Sequence, residues 1–317
     1  MKYAAKRIAM LLFTMVIVSL LAFVAFDVIS GDPATAMLGT QATPERVAEL
    51  RAELGLDRPL LVRYGEWLLG FFTGNLGTSY SYHQPVWELI APKVGVTLCL
   101  SLLSFVLIAV ISVPLGVRSA TRRSQGILSG AETLFNQLCM AVPPFFTAIL
   151  LTFCFSTVLR WFVHGSFPGL GSDFFGSLRY LLFAAVSIAI PRIAMTVRML
   201  RSTLLEELHR DYVRTAISRG NDSRAALYRH ALKNALPPVV TFLAQTMAEI
   251  VASSIVMEQV FSIPGLGRLL LASINSSDWP VVQAIVVLLA LWVMLAGTVA
   301  DLINQRIDPR LRLGGAK

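Results

Sequence analysis

The stretch from Val94 to Val117 reads VGVTLCLSLLSFVLIAVISVPLGV, 24 residues without a charge. A helix rising ~1.5 Å per residue needs about 20 mostly apolar residues to cross ~30 Å of hydrocarbon. This stretch meets that length, and four others match it: Ile8 to Phe26 behind Lys2, Lys6 and Arg7, Leu134 to Leu159, Leu236 to Met257, and Pro280 to Ala300. A sixth, Phe174 to Leu200, is interrupted by Arg179, Pro191, Arg192 and Arg198. Its uncharged part, Tyr180 to Pro191, is too short to cross alone, so it spans only if Arg179 and Arg192 snorkel to opposite interfaces. Pro143 and Pro144 predict a kink in the third crossing.

Composition agrees with lipid as the solvent for much of the chain. Of 317 residues, 55% are hydrophobic and only 15% charged, against about 25% charged in an ordinary soluble domain. Mean hydropathy is +0.67. The N-terminus resembles a secretory signal, with Val28 and Ser30 as cleavage-site candidates, but its apolar run exceeds the usual ~7–15 residues. It reads as a retained helix.

Charge sets the orientation. Nineteen of the 27 Lys and Arg fall at the N-terminus, in 118–130, in 192–235 and in 304–317; eight fall in 31–93, 160–179 and 258–279. Positive charge is retained in the cytoplasm, so both termini are expected there, with six crossings. The net charge of +8 then reports orientation and contact with anionic lipid headgroups, not nucleic acid. The expected fold is an all-α polytopic membrane protein. Its parts are residues 1–93 (one helix and an external segment), 94–307 (a five-helix core with a cytoplasmic loop at 201–235) and the tail 308–317. In the external segment, Thr43 predicts an N-cap, Pro44 the first helical position and Gly55 the stop.

The loop at 201–235 is unlike a simple connector. Thr203 and Glu206 fit a capping box, Gly220 fits a left-handed helix terminator, and Asn221, Asp222 and Ser223 offer a fresh N-cap. A short helix, a turn and a second helix up to Ala235 follow, with Pro237 and Pro238 marking the passage into the fifth crossing. Tyr212, Val213 and Ala216 share one face of the short helix. Such a face needs cover: a groove on a partner protein or an anionic lipid surface would each serve.

The strings DYVRTAISRG (211–220) and RHALKNALPPVV (229–240) resemble the conserved cytoplasmic loop of ABC importer permeases of the dipeptide/oligopeptide/nickel family, in its B-type subunit. GDPA (31–34), LGLDRPLLVRYGEWL (54–68), GNLGTSY (74–80), VFSIPGLGRLL (260–271), DWPVVQA (278–284) and DPRLR (308–312) extend the resemblance, in the family's order, over nearly the whole chain. It implies the type I importer permease fold in a bacterial inner membrane. It also implies a second homologous permease (C-type), two ATPase subunits that hold the ATP and Mg, and an external substrate-binding protein. Asp211, Tyr212, Val213, Arg214, Thr215, Ala216, Arg219 and Gly220 would form the coupling helix that docks on the ATPase. One departure stands out: the general motif opens with Glu-Ala-Ala, and the chain has Arg214, Thr215 and Ala216 there. A salt bridge from that Glu cannot be carried over.

No G-x-x-x-x-G-K-[ST] loop is present, so energy must come from another chain. Glu249, Ser253, Ser254, Asn136 and Gln137 are polar residues inside crossings and are candidates for the pathway lining, since membrane charges face protein or water; helix–helix hydrogen bonding is the other reading of each. No metal site is expected from the scattered His83, His164, His209 and His230, and Cys99, Cys139 and Cys154 read as packing residues. A carrier driven by an ion gradient would favour paired intramembrane carboxylates, and Glu249 has no evident mate in sequence. An importer of nickel or a sugar would use the same permease type.

Overall fold

A computed structural model describes residues 2–29, 32–121 and 127–307. The tail 308–317 with its DPRLR string, Gly31 of GDPA and the candidate cleavage residue Ser30 lie outside the described residues. In chain order the helices are α1 (Lys2–Ile29), α2 (Pro33–Leu38), α3 (Pro44–Glu53), α4 (Leu60–Thr73), α5 (Val86–Thr121), α6 (Ile127–Ala141) and α7 (Pro144–Thr152). Then come α8 (Phe174–Leu208), α9 (Asp211–Ser218), α10 (Ser223–Ala225), α11 (Leu232–Val260), α12 (Leu266–Asn275) and α13 (Trp279–Ile307). Wide-pitched π turns extend α7 over Phe153–Val158 and join α10 to α11 over Ala226–Ala231. Among the described residues the only β pairing is an isolated bridge between Thr78 and Pro85.

Five helices are long and apolar enough to span a bilayer, and the bent pair α6–α7 makes up to six. The expected third crossing is therefore broken rather than kinked: its two halves meet at 95°. Consecutive prolines explain this. Each disfavours the α conformation in the residue before it, and Pro143 is extended, at φ −63° and ψ 141°, where it caps α7.

The crossing that looked weakest in sequence is the most enclosed. In α8 61% of the apolar window is buried, against 17% in α1. Its buried residues include Ala184, Ala185, Ser187, Ala189 and Ala194, small residues that let other backbones approach. The neighbours α6, α7 and α11 all pack on it. Pro191 is accommodated inside the helix.

The described residues pack as two units, those within 1–97 with 264–294 and those within 98–263 with 295–317. In the first, Thr43 Oγ1 accepts from Arg46 N at 3.4 Å to cap α3, Pro44 opens it, and Gly55 follows at φ +65°. Tyr64 of α4 hydrogen-bonds Ser19 at 2.9 Å and donates to the Val16 carbonyl at 3.1 Å, pinning α4 to α1. In the second, Tyr180 donates to the Phe261 carbonyl at 2.6 Å and accepts from Gly165 N at 3.0 Å. That bond anchors the turn after α11, where Ser262 sits at φ +54°.

Candidate functional site

The loop between α8 and α11 is helical almost throughout. α8 runs on to Leu208, through the residues expected to cap a new helix. Thr203 is not a cap: its hydroxyl donates backwards to the Met199 and Leu200 carbonyls, both at 3.1 Å. Threonine makes this bond readily inside helices, so the Thr–Glu spacing misled. The true break lies at His209–Arg210, with Arg210 extended at φ −69° and ψ 147° ahead of α9.

Three contacts fix that corner. Arg210 pairs with Glu206 at 2.8 Å and reaches Glu207 at 3.9 Å. The Tyr212 hydroxyl donates to Glu207 at 2.5 Å. Burial pushes the Tyr212 phenol up, Glu207 as acceptor raises it further, and Asn234 and Arg210 pull it back. Tyr212 therefore bonds back to the last turn of α8 with the start of α11 beside it.

At the other end α9 closes as the glycine predicts. Gly220, at φ +94°, donates to the Ile217 carbonyl at 2.9 Å, and Asn221 N donates to Ala216 at 3.2 Å. This two-bond pattern is the Schellman motif. Asn221 Nδ2 adds a third bond to the same Ala216 carbonyl at 3.0 Å. Asp222 Oδ1 then accepts from Ala225 N at 2.8 Å and opens the next helix. From Ser223 to Val260 that helix is one 38-residue rod, with Pro237 and Pro238 inside it.

The apolar face of α9 is spent inside the chain. Val213 and Ala216 are buried, and α9 packs on the π turn that holds buried Ala226, Leu227 and Ala231. Burying a valine stabilises by about 1.5–3 kcal/mol. What α9 presents outward is polar: Asp211 (98% exposed), Arg214 (72%), Thr215 and Ser218, flanked by Tyr212 and Ile217, with Arg219 beyond. The cover expected from a partner groove or a lipid surface is thus supplied for Val213 and Ala216 by the chain itself, while Tyr212 stays partly exposed. Val213 and Ala216 hold the short helix to the rod, and Tyr212 bonds it to α8.

The polar residues of the crossings separate into two groups. Glu249 of α11 is ion-paired with Arg192 of α8, so it has a mate, and Arg192 does not snorkel away. The carboxylate is 47% exposed and the guanidinium 18%. Asn136 of α6 donates to the Ala194 carbonyl at 3.1 Å, so both contacts meet α8 within three residues of Pro191. Gln137 is exposed and Ser253 half-buried. Ser254 is buried, its hydroxyl bonded to its own helix at Val251 O, 2.8 Å.

Two residues that matter were not singled out in sequence. Glu258 is fully buried at the end of α11. Asp278 is also fully buried and gathers donors from far away in the chain: Ser79 Oγ at 2.5 Å, Tyr80 N at 3.0 Å and Ser81 N at 3.4 Å. In the same unit Thr97 Oγ1 accepts from Leu266 N at 2.8 Å. The GNLGTSY and DWPVVQA strings are thus one hydrogen-bonded node. Among the described residues no group of three or more His, Cys, Asp or Glu is arranged to hold a metal.

Known proteins are similar to this chain over most of its length. The family described as binding-protein-dependent transport system inner membrane component matches residues 112–313, and its N-terminal companion, the membrane component N-terminal region, matches 1–101. A putative peptide transport system permease protein of Brucella abortus is 37% identical over 307 residues, covering 97% of this chain and 98% of its own. The oligopeptide transport system permease protein AppB of Bacillus subtilis is 33% identical over 312 residues, covering 98% of each. Among solved structures, the inward-facing MetNI methionine ABC transporter aligns at a TM-score of 0.54 with 20% identity, over 69% of this chain and 96% of that one. At that identity the likeness speaks for the fold. On the family match over both parts of the sequence, the chain belongs to the binding-protein-dependent transport system inner membrane components: it is a multi-pass, non-enzymatic permease subunit of a bacterial ABC importer.

Proposed function

We propose that this permease forms half of a peptide translocation pathway and that α9 is the coupling helix through which a separate ATPase drives it. The complete machine would hold a second homologous permease, two ATPase subunits carrying ATP and Mg, and an external binding protein that delivers the cargo. Both termini and the α8–α11 loop would face the cytoplasm, as the excess of Lys and Arg on that side supports. Peptide as cargo is supported by the names borne by the full-length relatives in Brucella and Bacillus; nickel or a sugar would be the alternative.

One observation carries the reading. A short helix with a polar outward face is bonded to α8 at its start by Arg210 and Tyr212, closed at its end by the Gly220 motif, and packed through Val213 and Ala216 on the π turn of the 38-residue rod. A docking element must transmit a push rather than absorb it, and this one has no slack turn between the exposed face and a membrane crossing. The rod packs along α8, so displacing α9 moves both. Asp211 and Arg214 supply charge of both signs for a partner groove, in place of the glutamate of the general motif. Among the pathway candidates, Glu249 and Gln137 keep exposed polar groups within crossings, and hydrocarbon is a costly neighbour for such groups, by about 2.5–3.5 kcal/mol for a charge at the centre. That face is better suited to a water-filled path or the second permease.

The test is uptake of a labelled peptide by proteoliposomes holding the assembled importer. Accumulation should require ATP and stop when the partner ATPase is inactivated. Accumulation that follows an ion gradient without ATP would overturn the proposal, and ATP-driven uptake of nickel or a sugar but no peptide would overturn the cargo.

A further inference from the structure

From Thr241 onward, every exposed residue of α11 falls on one line. Thr241, Gln245, Glu249, Ala252, Val256 and Gln259 follow one another at steps of four, four, three, four and three, which puts them on a single helix face. From Thr241 to Gln259 the line climbs ~27 Å at ~1.5 Å per residue, close to the ~30 Å of a hydrocarbon layer. Val256 is its only large apolar side chain. The exposed line of α5 is the opposite, with Leu102, Val106, Val110, Ile111 and Leu115. A face bathed in lipid is built as that of α5 is, since hydrocarbon offers polar groups no hydrogen bonds.

The free chemistry on this line is that of amides. Its one charge, Glu249, is taken up by Arg192, so the pair adds no net charge to the face. Gln245 and Gln259 differ: both are exposed, and their side chains make no hydrogen bond among the described residues. A glutamine amide carries donor hydrogens and an acceptor oxygen, the complement of the C=O and N–H of a peptide group. The two glutamines lie ~21 Å apart along the helix, a span that an extended peptide covers with about six residues.

We propose that this line is one wall of the peptide path and that it reads the backbone of the cargo: Gln245 and Gln259 exchange hydrogen bonds with its peptide groups, whatever side chains flank them. The inference rests on the reading of the chain as a peptide permease and adds what the path recognises. Such a wall passes many sequences, because every residue other than proline presents the same N–H and C=O. The second permease is the competing occupant of the face, and it would have to supply a fixed partner for each amide.

The test has two arms, both in proteoliposomes holding the assembled importer. In the first, Cys99, Cys139 and Cys154 are replaced by alanine. Ala252→Cys and Val256→Cys should then each react with a charged, membrane-impermeant thiol reagent during ATP-driven turnover, faster than Val106→Cys on α5, and the reaction should abolish uptake. Reaction no faster than at Val106→Cys means that lipid or the second permease covers the face, and it overturns the proposal, as does reaction that leaves uptake intact. In the second arm, Gln245→Leu combined with Gln259→Leu should slow uptake from saturating, loaded binding protein about tenfold. The factor should be the same for peptides rich in alanine, lysine or glutamate. No loss, or a loss that depends on the side chains of the cargo, overturns backbone recognition; Gln245→Leu alone serves if the double variant does not assemble. ATP-driven peptide uptake by the unaltered importer separates either failure from a failure of the peptide-permease reading.

Discussion

Replacing Gly220 isolates the mechanical step. Its φ of +94° is a conformation that side chains disfavour, yet an added Cβ would meet nothing within 4 Å. Gly220→Val therefore introduces backbone strain without a clash. Holding an L residue left-handed costs about 1–2 kcal/mol, and strained positions reach about 3 kcal/mol. Relief comes by surrendering the bonds from Gly220 and Asn221 to the Ile217 and Ala216 carbonyls, which close α9 and set the direction in which the chain leaves it for the rod. With ~1.4 kcal/mol per tenfold, the detached loop should rise about tenfold to a hundredfold in population. In proteoliposomes holding the full importer, peptide uptake should fall in step with the detached fraction while ATP hydrolysis continues, so the ATP spent per peptide climbs. Gly220→Ala should be intermediate. The variant must reach the membrane in normal amount, since the strain is local to the loop. Normal uptake at the normal ATP ratio would refute the reasoning.

The same logic extends to other sites. Ala216→Asp places a charge against the buried π turn and should uncouple through loss of internal packing, lowering thermal stability by about 1–3 kcal/mol; Arg214→Ala, at an exposed position, should leave stability within about 0.5 kcal/mol and weaken only ATPase binding, measured by co-purification. Arg192→Met and Glu249→Gln each leave one charge unpaired in the crossings and should each cost about 1–3 kcal/mol, a range lowered for the half-exposed carboxylate. The double variant should recover more than half of the summed loss in detergent unfolding, and strict additivity would dissolve the pair. Asp278→Asn keeps the size but loses a charged acceptor for three donors, at about 1.5–3 kcal/mol; protease protection of the segment around Ser79 should drop, and Ser79→Ala should add little on top because the two share one network.

Most of the fold was open to reading because lipid imposes a length rule. Val94–Val117 and its counterparts are long, mostly uncharged runs, and all but Leu134–Leu159, which falls on the broken pair α6–α7, lie in helices long enough to span. The close of α9 was equally legible, since Gly220 and Asp222 act through their own backbones and near neighbours. Errors arose where a local pattern has two physical uses. The Thr203–Glu206 spacing fits a cap, but the hydroxyl bonds within α8 instead. Pro143–Pro144 announced a bend but not that it would reach 95°. The apolar stripe of α9 pointed to cover, and only packing reveals that the cover is the chain's own π turn. Pairings over long distances left no local trace: Arg192 finds Glu249 on another helix, and Ser79 finds Asp278 across 199 residues.

The most direct test of force transmission uses the outward face of α9. Cysteines at Arg214 or Ser218, both exposed, are cross-linked in transporting membranes with cysteine-bearing ATPase subunits. The account predicts a covalent permease–ATPase product that forms at these positions and not from a cysteine at buried Val213, and that stops peptide uptake once formed. Uptake that proceeds while neither position ever captures the ATPase would contradict it.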